Sequence, residues 1–154
     1  MSDLEARLRI PGTRLSVVPG GRWICQPVPP EVSEIHLGGL GSFLLHVPSG
    51  VSLNLRTVRD RDVSSAADLE DDFARYADIS WPGSPRRVSR WTHGALQGIT
   101  GVFESAMPGS IVREWMLTDG QSVANAATFA TARLWNEMLR DCEALVRSIR
   151  FEPG

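Results

Sequence analysis

The sequence GITGVFESAMPGSIVREWMLT, residues 98–118, decides the fold of this chain. It contains two β-prone runs, Gly98–Ser105 and Ile111–Thr118, and an Asp119-Gly120 turn leads into a third run, Gln121–Thr128. Strands joined in series by short turns are typical of an antiparallel meander. Because an apolar helical repeat follows, we predict an antiparallel sheet crossed by a helix.

The helical repeat covers residues 131–146 and carries a broad apolar stripe on one face. Its opposite face is charged, and Glu143 precedes Arg147 in the favourable i,i+4 order. A helix this apolar on one side must pack on a sheet, and Ser148-Ile149-Arg150-Phe151 is expected to close the domain. The stripe consists of Leu134, Trp135, Met138, Leu139, Cys142, Leu145, Val146 and Ile149.

The residues before this stretch predict more strands and one more helix. Residues 1–12 are expected to be a lead-in, and residues 13–154 a single α+β domain whose antiparallel sheet is flanked by helices as an α/β/α sandwich. A Ser65-capped helix is predicted to carry Leu69, Phe73 and Tyr76 on its apolar face. The predicted strands are Thr13–Val18 and Trp23–Gln26 as a hairpin, Ser42–Val47, Val51–Val58, and Arg86–His93 as a polar edge strand.

Five short motifs occur in order along the chain: Val51-Ser-Leu-Asn-Leu55, Asp71-Asp72-Phe73-x-x-Tyr76, Leu96-Gln97-Gly98, Arg113-Glu114-Trp115 and Ser148-Ile149-Arg150-Phe151. With the order of the predicted elements, they resemble the PsbP-like superfamily over residues 13–151. That superfamily includes the photosystem extrinsic protein, a nuclear-transport cofactor that binds the Ran GTPase, and the bacterial Eag chaperones of type VI secretion. The resemblance implies an antiparallel sheet flanked by helices, and binding in place of catalysis.

Composition argues against several classes of partner. The 154 residues carry a formal charge of −2, which gives no electrostatic reason to bind nucleic acid or an anionic membrane. All sixteen basic residues are arginine. No apolar run approaches the ~20 residues of a membrane span, and no secretory signal is recognised, so a cytoplasmic location is expected. Cys25 and Cys142 are then expected to be reduced, although a disulfide between them stays open.

The residues that usually carry catalysis are not arranged for it. His36, His46 and His93 lack partners at metal-ligand spacing, and no Gly-x-Ser-x-Gly elbow occurs. The Gly38–Gly41 stretch lacks the Lys-Ser/Thr of a phosphate loop. We therefore predict a protein that is not an enzyme and that has no metal and no cofactor.

Glu104 and Glu114 are the carboxylate pair that could approach each other in the meander. A two-residue turn at Asp119-Gly120 predicts that Glu114 faces Asn125 and that Trp115 faces Ala124. Arg113 would then face Ala126. This arrangement is ordinary cross-strand packing, with a shallow groove as the alternative.

The main functional hint is a cluster of tryptophan and arginine within eleven residues: Trp81, Arg86, Arg87, Arg90 and Trp91. These residue types dominate binding hot spots, so the cluster predicts a surface for another protein. Alternatively, the tryptophans are core residues and the arginines protect an edge strand from aggregation. The partner is expected to be a secreted effector, for a chaperone or adaptor, or a toxin, for an immunity protein; a homodimer stays open.

A second class of function is a small-molecule-binding domain or an unrecognised enzyme. Its pocket would lie between the sheet and the C-terminal helix, lined by Trp115, Trp135 and Met138. A cavity holding His46 or Glu114 in a perturbed environment would favour this class.

Overall fold

A computed structural model describes residues 6–27, 31, 40–58, 68–71, 74, 86–104 and 109–153. These residues form two antiparallel sheets and a long C-terminal helix, Ala132–Arg147. The strands are β1 (Leu8–Arg9), β2 (Leu15–Val17), β3 (Trp23–Pro27), β4 (Gly41–His46), β5 (Ser52–Val58), β6 (Arg86–His93), β7 (Leu96–Glu104), β8 (Ser110–Thr118), β9 (Val123–Thr131) and β10 (Arg150–Phe151).

The larger sheet has the strand order β3-β4-β5-β9-β8-β7-β6, and every neighbouring pair is antiparallel. The predicted meander forms the half β6-β7-β8-β9, and β9 pairs with β5 to join it to β3-β4-β5. Strand β6 lies at one edge, as its polar composition predicted. The α+β class with an antiparallel sheet is therefore confirmed.

The smaller sheet, in the order β1-β2-β10, differs from the sequence prediction. Strands β2 and β3 do not form a hairpin, because β2 pairs with β1 and with β10 instead. All three residues of β2 are buried, so the strand needs partners on both sides. Residues 8 and 9 of the expected lead-in form β1, and Ile10 beside them is fully buried.

The C-terminal helix confirms the predicted apolar stripe and has well-satisfied ends. Thr131 Oγ1 accepts from the backbone N–H of Leu134 as the N-cap. The Ser148 backbone N–H donates to Ala144 and Leu145 carbonyls, and its hydroxyl donates to Leu145 O. The buried helix residues are Trp135, Met138, Cys142, Leu145 and Val146.

Two apolar clusters lie on opposite faces of the larger sheet. The helix side contains Trp115 and Leu117 of β8 packed with the buried residues of the C-terminal helix. The other side, the Leu69 side, contains Ile99, Val112 and Met116 packed with Leu69. Residues 68–71 and 74 are helical, so helical segments cover both faces of the sheet, which is the predicted sandwich. The predicted positions Ser65, Phe73 and Tyr76 lie outside the described residues.

The β8–β9 register is shifted by two residues from the prediction. Glu114 faces Ala127, Trp115 faces Ala126 and Arg113 faces Thr128. The shift arises because the connection spans residues 119–122: Asp119 Oδ1 accepts from the amides of Gln121 and Ser122. An even shift keeps each side chain on its predicted face.

Gly98 is needed for the close pairing of β7 with β8. A Cβ built at Gly98 would lie 1.9 Å from Met116 O, so the strands would have to move apart. We expect Gly98→Ala to lower the free energy of unfolding by about 2 kcal/mol, measured by urea denaturation. Gln121→Ala in the exposed loop should change it by less than about 0.5 kcal/mol. Equal stability of the two variants would contradict this contact.

Candidate functional site

Strand β6 is an open edge of the larger sheet. Arg86–His93 pairs with β7 along its length, and no other described residue pairs with β6. The side chains of Arg87, Val88, Ser89 and Arg90 are exposed, and Val88 shows 40% of its surface. An edge strand presents N–H and C=O groups that can bind an added strand.

The charge along this edge is positive. No acidic residue occurs between residues 82 and 103. Arg90 Nε donates to Glu70 Oε2 at 3.0 Å, and both side chains are exposed. The positive charge of Arg90 is therefore partly neutralised. Arg87 has no ion-pair partner among the described residues and offers its guanidinium to solvent.

The predicted tryptophan and arginine cluster is partly assembled on β6. Trp91 is half-buried, lies opposite Gly98 and packs against the helix-side core. Its ring centroid is 6.1 Å from that of His93. Trp81 and the side chain of Arg86 lie outside the described residues. Of the cluster, the structure therefore brings Arg87, Arg90 and Trp91 onto one strand.

The residues predicted to line a pocket under the C-terminal helix are core residues. Trp115 and Met138 are fully buried, and Trp135 is almost so. Trp135 Nε1 donates to Ile111 O at 3.0 Å, which satisfies its one polar atom. The Arg113 guanidinium lies 5.2 Å from the Trp115 ring centroid. These side chains hold the helix on the sheet.

A buried histidine joins the β4–β5 turn to the C-terminal helix. His46 is fully buried; its Nδ1 is 2.6 Å from Ser49 Oγ and its Nε2 is 2.7 Å from Asp141 Oδ2. Arg22 Nε also donates to Asp141 Oδ2, at 3.1 Å, and the Trp23 ring centroid is 4.8 Å from that of His46. Burial alone would raise the pKa of Asp141, but the hydrogen bond from His46 and the charge of Arg22 outweigh it and lower that pKa.

The order of contacts Ser49–His46–Asp141 has the residue types of a serine protease triad. An ionised Asp141 only accepts, so His46 Nε2 donates to it and Nδ1 faces the Ser49 hydroxyl. A nucleophile also needs N–H donors for an oxyanion. The Gly50 amide donates to His46 O and the Val51 amide donates to Ser49 Oγ itself. Both amides that follow Ser49 are therefore committed within the turn, and the cluster joins the β4–β5 turn to the C-terminal helix.

The Leu69 side of the sheet holds a second buried ionisable group, Glu114. Its side chain is 3% exposed, and its Oε2 has no hydrogen-bond partner among the described residues. Glu114 faces Gly101 on β7, whereas Glu104, the carboxylate considered as a neighbour of Glu114, pairs with Ile111. Burial raises the pKa of Glu114 to about 7, although the charge of Arg56 and the amide of Asn125 both lower it.

The remaining candidates do not form a reactive centre in the described part of the chain. His93 is exposed on β6, and His36 lies outside that part. No group of three or more His, Cys, Asp or Glu among the described residues is placed to hold a metal ion. Cys25 and Cys142 are free thiols, so the disulfide left open above is not formed. Burial raises the pKa of Cys142 to about 12, which makes it unreactive.

The described helices include none that is long and apolar enough to cross a membrane.

The architecture, an antiparallel sheet with helical segments on both faces, defines an α+β sandwich. The structure of this chain is similar to the solution structure of cyanobacterial PsbP (CyanoP) from Synechocystis sp. PCC 6803. The TM-score is 0.61, and the match covers 95% of this chain and 91% of that chain. The two sequences are 10% identical, so the similarity concerns the fold. The fold is PsbP-like, as the motifs predicted. No family of protein sequences matches this chain, and no curated protein matches it.

Sequence reasoning named His46 and Glu114 as residues that a pocket could hold, but it missed the neighbours of both for the same reason. His46 and Asp141 are separated by 95 residues, and no local spacing connects them. Glu114 lies in a β-prone run where alternation predicted its face but not its neighbours. The available signal was the small size of Gly101 and Ala127, which becomes informative only once the register is known.

Proposed function

We propose that this protein is a non-catalytic binding module whose β6 edge docks an extended acidic segment of another protein as an added strand. The observation that carries this proposal is the open edge itself, with Arg87, Val88 and Arg90 exposed along it. Main-chain hydrogen bonds to the edge supply affinity, and side chains at alternating positions supply specificity.

The spacing of the arginines defines the acidic pattern expected in the partner. Arg87 and Arg90 are three residues apart, so they lie on opposite faces of the sheet. A partner strand with acidic residues three positions apart would place one carboxylate near each guanidinium. Val88 shares the face of Arg90. An apolar residue of the partner strand, two positions from the carboxylate near Arg90, would therefore cover Val88.

The same charges argue against a homodimer formed through β6. Two copies paired edge to edge would bring Arg87 and Arg90 of one strand near those of its partner. Like charges placed across a strand pair are destabilising. A different protein with carboxylates is the occupant that the charge of this edge favours.

Within this class, a toxin-immunity role in a bacterial cytoplasm is favoured over a secretion chaperone. A chaperone for membrane-spanning segments would need an exposed apolar sheet face. The C-terminal helix packs on one face of the sheet and Leu69 packs on the other, where Phe129 is 43% exposed but no broad apolar surface is seen among the described residues. A charged edge with one exposed apolar residue, Val88, suits an acidic partner that offers an extended segment.

The test is charge reversal of the edge. We expect Arg87→Glu combined with Arg90→Glu to weaken partner binding by about 100-fold or more, because charge-assisted bonds become repulsions. The partner is the protein captured from native-host cells by the wild-type chain, and its affinity is then measured with purified components by calorimetry.

The matched control reverses two exposed arginines of the C-terminal helix, Arg133→Glu with Arg140→Glu. It changes the net charge equally and should alter affinity by no more than about threefold through long-range electrostatics. If both double variants are folded by circular dichroism and bind equally well, β6 is not the docking edge.

A further inference from the structure

A polar row crosses the Leu69 side of the sheet, and its last residue, Gly101, faces Val88 of β6. Asn54 faces Ala127, Ala127 faces Glu114, and Glu114 faces Gly101. Directly paired residues of neighbouring strands share a face, so these four residues form one line over β5, β9, β8 and β7.

Bulky residues border this row on both sides and turn it into a trough. On one side lie Arg56, Asn125, Met116 and Ile99; on the other lie Phe129, Val112 and Phe103. The bordering rows are about 13 Å apart, given about 3.3 Å per residue along a strand. Ala127 and Gly101, on either side of Glu114, add almost no side-chain bulk to the row.

The trough is accessible over Ala127. Ala127 and Asn54 are half-buried, Phe43 faces Asn54 at that end of the row, and Phe129 is 43% exposed. Glu114 and Gly101 are buried, and Leu69 packs with the apolar residues near them. A small molecule can therefore reach the row over Ala127, and it meets Glu114 Oε2 once the buried carboxyl group turns toward Ala127.

The unused hydrogen-bonding capacity of the row lies on Glu114. Its Oε2 has no partner among the described residues, although the side chain is 3% exposed. Arg56 Nε already donates to Asn125 Oδ1 at 3.1 Å, and Arg56 makes at least one further interaction. Asn125 Nδ2 in turn donates to Trp115 O. A buried carboxyl oxygen without a donor calls for an N–H group from outside.

We propose that the trough binds a small primary amine as its ammonium ion. The ammonium lies over Ala127 and donates to Glu114 Oε2 and to the side-chain oxygen of Asn54, and its alkyl end lies against Phe129. An ammonium offers three donors and suits a site of two oxygens beside an aromatic ring. The sequence has no lysine, so no side chain of this chain supplies such a group.

The experiment uses n-butylammonium, with 1-butanol and butyrate as neutral and anionic probes. We expect butylammonium to bind with a Kd on the order of 1 mM at pH 8, shifting the amide resonances of Asn54, Glu114 and Ala127. 1-Butanol and butyrate should bind at least tenfold more weakly. Butyrate binding more tightly than butylammonium would assign the trough to an anion and overturn the proposal.

Two variants separate a specific site from general attraction. Glu114→Gln should weaken butylammonium binding about tenfold or more, whereas Glu137→Gln on the exposed helix surface should leave it unchanged. Ala127→Leu keeps the carboxylate but fills the trough, and should abolish binding in the folded protein. Equal binding by wild type and either trough variant would overturn the proposal.

The affinity should also rise about tenfold from pH 6 to pH 8, because a carboxyl with a pKa of about 7 becomes ionised over that range. The other charged groups described on this face, or on the helical segment packed against it, are Arg56, Asp68, Glu70, Asp71 and Arg90, and Arg90 is paired with Glu70. An affinity that does not change with pH would show that Glu114 is not the acceptor.

Discussion

Trp115→Ala is expected to lower the free energy of unfolding by about 4 kcal/mol, the largest loss from a single substitution in this protein. Trp115 is fully buried on β8, near the middle of the larger sheet, and belongs to the cluster that holds the C-terminal helix. Its removal leaves a cavity that neither Ala126 opposite nor Thr100 can fill. Urea denaturation followed by circular dichroism gives the value.

Trp91→Ala is the matched control for this loss. Trp91 packs against the same cluster but is half-buried, so we expect about half the effect. A Trp115→Ala variant that loses less than about 1 kcal/mol would mean that the helix is not anchored through this side chain.

The unfolding free energy of Glu114→Gln minus that of wild type is expected to be about 3 kcal/mol larger at pH 8 than at pH 4. The folded protein holds the Glu114 proton up to a pKa of about 7, above the ordinary value of 4.5. The folded state therefore binds more protons than the unfolded state between these values. The stability associated with this group is fully present below pH 4.5 and is lost as the pH rises through 7.

Glutamine cannot ionise, so the variant should lack this loss. The measurement is the unfolding free energy of both proteins at several values between pH 4 and pH 8. Glu137→Gln, at an exposed position of the C-terminal helix, serves as the control and should show the wild-type pH dependence. A constant difference between Glu114→Gln and wild type over this range would contradict the buried position of the carboxyl.

The sequence predicted those parts of the fold that depend on local periodicity. The apolar stripe from Leu134 to Val146 and the alternation in β5 are repeated patterns, and the structure follows both. The small sheet could not be predicted, because β2 and β10 are far apart in sequence and short. The predicted β8–β9 register was wrong because a two-residue Asp-Gly turn was assumed. The side chain of Asp119 instead stabilises a connection of four residues, 119–122.

The candidate sites were predictable to the extent that they lie on one element. The arginines of β6 are close in sequence, and their polar pattern indicated an edge strand. The His46–Asp141 contact joins β4 to the C-terminal helix, and the row containing Glu114 runs across four strands. The order of the strands brings such groups together, and no local pattern in the sequence predicts that order. The residues expected to line a pocket, Trp115, Trp135 and Met138, are large and apolar because they fill the core.

Hydrogen exchange of the β6 amides, with and without the purified partner, tests most directly whether this edge is the recognition surface. In the free protein, the amides of Arg86–His93 that point away from β7 should exchange rapidly. Binding should slow exchange at these outward amides and leave the β3 edge unchanged. Protection of β3 or of the C-terminal helix, with β6 exchanging as in the free protein, would contradict the account.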